Sequence, residues 1–264
     1  MGTLVWYNGD RYTGIFSNDQ INGKGFFEGI TGEVFDGIFR DGKKDGHGIC
    51  RLSNGTSFIG YYRNGVRDGQ GKQKFSNGDS YEGYFKDGAM DGYGKYQYTN
   101  GDLYEGDWKQ GTATGRAKIS YFGGDKYTGD FVNSQLQGNG VLEYNNGDYY
   151  EGAFFIGKRH GYGNFKGKMG ESYRGMWKYN MKEGKGEMSW INGDRYDGDW
   201  VDNRKQGKGL FVHGDGTKWS GGFFDNKMHG EGNLFYPNGL CIKALYDNGV
   251  FIRDMDQGQK KDKK

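Results

Sequence analysis

The side chains that could carry out acid-base catalysis or ligate a metal are four histidines and two cysteines. They are His47, His160, His213, His229, Cys50 and Cys241. A metal site needs several such ligands at short spacing, and a general base must lie beside the group that it activates. Neither arrangement can be read from these positions. The sequence therefore predicts no catalytic residue, no metal site and no disulfide framework.

Glycine pairs are the second feature that could bind a small molecule. Gly-x-Gly recurs, as at Gly69/Gly71 and Gly92/Gly94, but without the strand-to-helix context and the downstream acidic residue of a dinucleotide site. No Gly-x-x-x-x-Gly-Lys-Ser/Thr phosphate loop occurs. We therefore predict that the chain binds no cofactor and that the glycines are structural.

Composition favours many short strands joined by tight turns. The 264 residues include 53 glycines, one proline and 17% aromatic residues, but only 33% hydrophobic residues. The net charge of +2 argues against binding nucleic acid through phosphate neutralisation. No apolar stretch is long enough for a signal peptide or a membrane span, so a cytoplasmic location is expected.

A period of 23 residues organises the chain. An aromatic residue opens each of ten units, a glycine follows two residues later, and a second aromatic residue follows four residues after the first. The opening residues are Tyr12, Phe35, Phe58, Tyr81, Tyr104, Tyr127, Tyr150, Tyr173, Tyr196 and Trp219. Because strand side chains alternate, this spacing places all three positions on one face of a strand and predicts a polar opposite face.

Each unit is predicted to be one β-hairpin. A glycine precedes every first strand, and seven of these glycines follow an asparagine, which is typical of a hairpin turn. The loop at the other end carries glycine in five units and asparagine at 180, 203 and 226, because asparagine tolerates positive φ better than other residues with side chains. His160 and His229 occupy a register filled elsewhere by polar turn residues such as Asp45 and Gln137.

The unit beginning Tyr81-Glu82-Gly83 and ending Gly92-Tyr93-Gly94 closely resembles the MORN repeat, and its copies do so across about residues 5–240. This resemblance implies an all-β fold, an elongated single-layer antiparallel meander of about ten hairpins in a twisted ribbon. It also implies a role in assembly, since MORN proteins occur in radial spoke heads and other cytoskeletal structures and at membrane junctions. The predicted boundaries are 1–11 for an N-terminal edge strand, 12–239 for ten repeats, 240–256 for a degenerate capping hairpin and 257–264 for a basic tail.

Three surfaces are candidates for binding a partner. The first is the aromatic face, whose candidates are Trp108, Trp177, Trp200 and Trp219. Most of these four are expected to be packing residues, but a single-layered sheet is expected to leave some rings partly exposed. The second is a basic edge formed by the loops opposite the acidic Asn-Gly turns. Its candidates are Lys43, Lys44, Arg67, Lys158, Arg159, Arg204 and Lys205, with a gap over residues 88–91, 111–114 and 134–137. Solvated loop charge is the simpler explanation of that edge.

The third surface is the C-terminal hairpin, where the repeat consensus is lost and the residues are more aliphatic. Ile242, Val250, Phe251 and Ile252 could cap the sheet, or could dock a partner or a second copy, because an open strand edge pairs readily.

Two functional hypotheses follow. The first is a non-catalytic scaffold that joins other protein subunits in a ciliary or flagellar axoneme or another cytoskeletal complex. The second is a peripheral membrane tether that binds anionic phospholipids through the basic edge; the near-neutral charge and the lack of a lipidation signal weigh against it. The segments outside the repeats are expected to be too short to fold as an enzyme.

Overall fold

The computed structural model describes residues 1–256; the predicted basic tail, 257–264, lies outside the described residues. All regular structure in the described part is β-strand, and no helix there could cross a membrane. The chain divides into two compact units, Met1–Gln135 and Leu136–Lys264.

The first unit is an antiparallel meander that starts with a short edge strand. Its strands are β1 (Gly2–Val5), β2 (Arg11–Ser17), β3 (Gln20–Glu28), β4 (Val34–Arg40), β5 (Lys43–Arg51), β6 (Ser57–Arg63), β7 (Val66–Lys74), β8 (Ser80–Lys86), β9 (Ala89–Gln97), β10 (Leu103–Lys109), β11 (Thr112–Ser120) and β12 (Lys126–Val132). Between its first and last strands, each strand of this unit pairs with the one before it and the one after it along the chain, as β8 does with β7 and β9.

The second unit repeats this architecture. Its strands are β13 (Gln135–Glu143), β14 (Tyr149–Phe155), β15 (Lys158–Lys166), β16 (Ser172–Lys178), β17 (Met181–Ser189), β18 (Arg195–Val201), β19 (Arg204–Val212), β20 (Lys218–Phe224), β21 (Lys227–Phe235), β22 (Cys241–Asp247) and β23 (Val250–Asp254). The prediction of an all-β antiparallel meander of hairpins is confirmed in both units.

Glycine pairs set the register between strands. Gly83 of β8 lies opposite Gly94 of β9, and a Cβ added to Gly83 would lie 2.7 Å from the Cα of Gly94. A Cβ on Gly94 would collide with the ring of Tyr81, which lies across both glycines. Glycine is therefore needed because the ring occupies the space that a side chain would fill.

The aromatic residues form a continuous core in each unit. The first ring of a repeat packs edge-on against the second ring of the same repeat and against that of the next repeat. Tyr81, for example, lies 5.1 Å from Phe85 and 5.5 Å from Trp108 between ring centroids. Tyr81 is fully buried, and its hydroxyl donates a hydrogen bond to the carbonyl of Tyr84 at 3.1 Å. Edge-to-face contacts of this kind add to the free energy gained by burial.

The two kinds of turn differ from each other in geometry. At the Asn-Gly turns only the glycine has positive φ, and its N–H donates to the carbonyl three residues earlier, as Gly78 does to Phe75. The opposite loops are two residues long, and both residues have positive φ, as in Asp87-Gly88 with values of 49° and 84°. That pattern defines a type I′ turn, whose twist matches that of the flanking strands.

The aspartate after the turn glycine joins successive Asn-Gly turns. Oδ1 of Asp79 accepts a hydrogen bond from the backbone N–H of Thr99 at 2.8 Å, and Asp102 and Asp148 do the same for Phe122 and Lys168. Hydrogen bonds to the carboxylate hold the pKa of Asp148 below its usual value, the Lys168 N–H contributing most. The acidic residues of this edge therefore have a structural role in the turns.

The prediction of a polar opposite face is wrong at one register position of the first unit. One register position on that face holds Ile15, Ile38, Tyr61 and Tyr84 in four successive repeats, and these side chains are 37–51% exposed. The same position holds Asp107 and Asp130 in the next two repeats. The first four repeats thus carry an exposed apolar stripe. The alternation of strand side chains assigns residues to this face but does not require them to be polar.

Candidate partner-binding face

The four tryptophans proposed to contact a partner are buried. Trp108, Trp177, Trp200 and Trp219 are only 6, 4, 3 and 0% exposed. None of the four is therefore an exposed anchor for a partner. Each is packed edge-on between neighbouring rings, as Trp177 is at 5.5 Å from Tyr150 and 5.1 Å from Tyr173.

Cationic side chains cover the rings instead. The guanidinium carbon of Arg159 lies 4.2 Å from the Trp177 centroid, and the ammonium of Lys182 lies 4.7 Å from that of Trp200. The ammonium of Lys205 lies 4.3 Å from the Phe211 centroid, with three further rings within 6 Å. A cation over an aromatic face is attracted by the ring quadrupole. A partner that binds this face would therefore contact positively charged side chains that lie over buried aromatic rings.

The predicted basic edge is in fact divided between the two faces of the sheet. Neighbouring strand residues point to opposite faces. Lys43, Lys158 and Arg204 are exposed, whereas the next residue in each strand is half-buried on the aromatic face. Those half-buried residues are Lys44, Arg159 and Lys205, joined by Arg67 and Lys182 at the same register. The seven predicted cations therefore do not share one face of the sheet.

On the aromatic face, called the ring face below, the two cations of the first unit are Lys44 and Arg67, and both have polar partners. The ammonium of Lys44 contacts the carboxylate of Glu33, which also accepts a hydrogen bond from the Cys50 thiol at 3.3 Å. Burial alone would raise the pKa of Glu33, but the hydrogen bond and charge of Lys44 outweigh it and lower that pKa. The Arg67 guanidinium contacts the side-chain oxygen of Gln73 and donates to the carbonyl of Gly88 at 2.6 Å. These groups line an open concavity of about 440 Å³.

The second unit leaves its three cations without carboxylate partners. Arg159, Lys182 and Lys205 form no ion pair with the described residues, and Arg159 Nε is buried without a hydrogen-bond partner among them. Burial lowers the pKa of Lys182, and the nearby charge of Arg159 lowers it further. Burial also lowers the pKa of Lys205, and the charge of Asp194 offsets only part of this effect. These shifts are those of partly desolvated cations that lack an ion-pair partner.

A loop asparagine fixes the backbone of each of these three cations. Oδ1 of Asn180, Asn203 and Asn226 accepts a hydrogen bond from the backbone N–H of Arg159, Lys182 and Lys205, at 2.9, 2.7 and 2.9 Å. The asparagine N–H donates back to the carbonyl of the same residue. All three asparagines have positive φ, as the type I′ loop requires. Asparagine therefore suits these loops for two reasons: it tolerates positive φ, and its side chain accepts the hydrogen bond from the cation's backbone.

The four histidines lie apart from one another and take part in packing or turn contacts. The His160 ring lies 5.0 Å from Tyr179, and the His213 ring lies 4.7 Å from Phe211. Nδ1 of His229 accepts a hydrogen bond from the backbone N–H of Asn248 at 3.4 Å, in the register where acidic and amide side chains do so elsewhere. Residues 1–256 contain no cluster of histidine, cysteine and carboxylate side chains suited to a metal.

The C-terminal hairpin has an apolar outer strand. Val250, Phe251 and Ile252 of β23 are 63, 46 and 51% exposed, whereas Ile242 of β22 is half-buried opposite Leu234. Among the described residues β23 pairs only with β22. Docking or dimerisation at this edge stays a prediction.

The 23-residue unit matches a known family throughout the ring-bearing strands. The model of the MORN repeat matches ten consecutive segments, at residues 12–34, 35–57, 58–80, 81–103, 104–126, 127–149, 150–172, 173–195, 196–218 and 219–241. The chain belongs to the MORN-repeat family. Each MORN segment begins at the first aromatic residue of a unit. Repeats of this family suggest a protein-interaction scaffold.

Comparison with solved structures adds only distant likenesses to this MORN chain. The TCP domain of SAS-4 from Drosophila melanogaster, solved with a proline-rich motif of Ana2, is 18% identical, covers 59% of this chain and 85% of its own, and has a TM-score of 0.38. The TCP10 domain of CPAP from Danio rerio is 12% identical, covers 93% of this chain and 100% of its own, and has a TM-score of 0.27. Scores this low support no argument about function. No curated protein matches the chain.

Sequence reasoning missed Lys182 as a member of the MORN ring face and missed the asparagines that hold it. The signal was present, because Lys44, Arg67, Arg159, Lys182 and Lys205 share one position in the 23-residue unit while Met90 and Met228 fill it in other repeats. Grouping loop charges by position within the unit, instead of by edge, would have found this set.

Proposed function

We propose that this MORN protein is a non-catalytic scaffold that joins other protein subunits through its ring face. The carrying observation is the half-buried row of cations above the buried rings of the second unit. Such a surface combines buried aromatic rings with fixed charge. Apolar contacts give a protein interface much of its affinity, and complementary charge gives it specificity.

A scaffold role accounts for the positions of the reactive side chains. Cys50 is buried, and burial raises the pKa of its thiol, which favours the unreactive protonated form. The histidines lie in turn and ring contacts, away from one another. We therefore assign binding, and not catalysis, to this chain.

We place the scaffold in a ciliary or flagellar axoneme, as in radial spoke heads, or in another cytoskeletal assembly. This placement rests on analogy with other MORN proteins. The exposed apolar stripe of the first unit offers a further contact surface, as a component with several neighbours requires.

A membrane tether is the competing function. Anionic phospholipids would bind the exposed cations, among them Lys43, Lys158 and Arg204, and this binding would collapse as salt screens the charges. A protein partner held mainly by apolar contacts on the ring face would tolerate moderate salt.

Affinity purification of the tagged full-length protein, with mass spectrometry of its partners, tests the scaffold. Liposome co-sedimentation at low and moderate salt is run in parallel. We expect stoichiometric cytoskeletal subunits that remain bound at moderate salt. Recovery of no protein subunit, together with lipid binding that is lost in a Lys158→Gln/Arg204→Gln variant, would overturn the proposal.

A further inference from the structure

Arg159, Lys182 and Lys205 form a straight row in the second unit. The glycine register Gly163–Gly175 and Gly186–Gly198 runs directly across the strands, so equivalent residues of successive repeats are not displaced along the strand direction. Equivalent positions lie two strands apart, which is about 10 Å at the usual strand spacing. The three cations therefore stand in line across β15, β17 and β19.

The cations of this row have no ion-pair partner among the described residues. In the first unit, Glu33 contacts Lys44 and Gln73 contacts Arg67. The position of Glu33 in the 23-residue unit holds Asp148, Glu171 and Asp194 in the second unit, but none of these carboxylates forms an ion pair with the row. The position of Gln73 holds Phe165, Met188 and Phe211, and the Lys182 ammonium lies 3.7 Å from the Met188 sulfur. A partly desolvated cation without an ion-pair partner gains more from an incoming carboxylate than a solvated one does.

The spacing of the row matches that of a helix. Seven residues of an α-helix span about 10 Å, and residues seven apart lie on nearly the same face. An extended strand also covers about 10 Å in three residues, but two side chains that are three residues apart in a strand point to opposite sides. A helix lying across the strands therefore places one carboxylate over each cation.

The geometry points to an acidic amphipathic helix of a protein partner, with carboxylates about seven residues apart, as the occupant of the row formed by Arg159, Lys182 and Lys205. This inference names the partner's chemistry and rests on the proposed scaffold function. Phospholipid is disfavoured because these cations are recessed among rings, whereas the cations that protrude, such as Lys158 and Arg204, lie on the other face.

Methionine provides a variant that removes charge and keeps packing. Met90 and Met228 occupy the same position in other repeats, so Lys182→Met/Lys205→Met is compatible with the fold. The matched control is Lys158→Gln/Arg204→Gln, which removes two charges from the opposite face, at the residues that precede Arg159 and Lys205 in the chain. Thermal unfolding of each variant confirms that it folds.

The probe is a synthetic helical peptide with three glutamates about seven residues apart beside a leucine stripe. An isomer of equal composition carries its glutamates opposite that stripe. Binding is measured by fluorescence anisotropy with the full-length protein. We expect the first peptide to bind more tightly than the isomer, and the methionine variant to lose about tenfold or more in affinity for it. The control variant should change by less than about twofold.

A gain of affinity provides the reciprocal test. Met228→Lys adds a fourth cation to the row at the next repeat, and a peptide with a fourth glutamate in step should then bind more tightly than to the wild type. Equal binding of both peptides, equal loss in the control variant, or methionine-sensitive binding only to phosphatidylserine vesicles would overturn the inference. Failure with these peptides alongside recovery of protein subunits from cells would leave the scaffold proposal standing.

Discussion

Oδ1 of Asn203 accepts a hydrogen bond from the backbone N–H of Lys182 at 2.7 Å, and the Asn203 N–H donates to the Lys182 carbonyl at 3.0 Å. Two bonds thus tie the loop of one repeat to the cation-bearing strand of the repeat before it. Asn180 and Asn226 repeat the arrangement with Arg159 and Lys205. Positive φ in the loop and placement of the cation row are therefore linked through one residue type.

Replacing Asn203 should separate its two roles. Asn203→Gly keeps positive φ without strain but loses the side-chain acceptor, so the free energy of unfolding should fall by about 1 kcal/mol. Asn203→Ala should cost about 1 kcal/mol more, because alanine is strained at a φ of 68°. Denaturant unfolding measures both, with Asn203→Asp as the control that keeps an acceptor. Equal stability of the glycine variant and the wild type would contradict the hydrogen-bond role.

The glycines beneath the rings should resist substitution for steric reasons. Gly94→Val places a branched side chain where the Tyr81 ring lies, and overpacking of this kind costs about 2–3 kcal/mol. Tyr93→Val is the control, since Tyr93 is the adjacent residue on the opposite face and is 60% exposed. Its effect should stay within about 0.5 kcal/mol. Similar losses from both variants would show that the ring does not set the glycine requirement.

The ring of Tyr81 should contribute more to the free energy of unfolding than its hydroxyl does. Tyr81→Phe loses the bond to the Tyr84 carbonyl, which is worth about 1 kcal/mol, but keeps the ring contacts, as Phe35 and Phe58 do in the same register. Tyr81→Ala removes the ring as well and should cost about 3–5 kcal/mol. Thermal and denaturant unfolding distinguish the two. A phenylalanine variant as unstable as the alanine variant would contradict the central place given to ring packing.

The turn aspartates should make the fold sensitive to acid. Burial alone would raise the pKa of Asp79, but hydrogen bonds from Thr99, Tyr96 and Asn77 outweigh it and lower that pKa below its usual value of 3.8. The unfolded state then binds the proton more readily, so the stabilisation is present above about pH 4 and is lost as the pH falls through the folded-state pKa.

Asp79→Asn tests this dependence. The asparagine keeps one acceptor for Thr99 but cannot accept at both atoms, so it should lower stability near neutral pH. The difference from the wild type should shrink between about pH 4 and pH 2.5, as the wild-type carboxylate is protonated. Urea unfolding across that range measures it. A difference that is independent of pH would contradict the role of the ionised carboxylate.

The repeat and the fold could be predicted because they depend on local rules. The spacing of Tyr81, Gly83 and Phe85 fixes one strand face, and glycine and asparagine mark the turns. These features recur ten times at the same spacing, so the prediction does not depend on a chance match in any one repeat. The family and the antiparallel meander followed from that pattern.

The binding surface could not be predicted as well, because it depends on which neighbours share a face. Trp177 was a candidate for contacting a partner, but the rings on both sides of it and the Arg159 guanidinium bury it. Arg204 and Lys205 were grouped as one edge although strand alternation sends them to opposite faces. Bulges near Gly175 and Gly198 shift the strand register, so the cross-strand neighbours of residues near the loops are hard to assign from spacing alone.

Zero-length carbodiimide cross-linking of the native assembly, followed by mass spectrometry, tests the central claim most directly, because it joins a lysine amine only to a carboxylate in contact with it. The account predicts cross-links from Lys182 and Lys205 to acidic residues of one stoichiometric protein partner. Cross-links confined to exposed lysines such as Lys43 and Lys158, or purification with phospholipid and no protein partner, would contradict it.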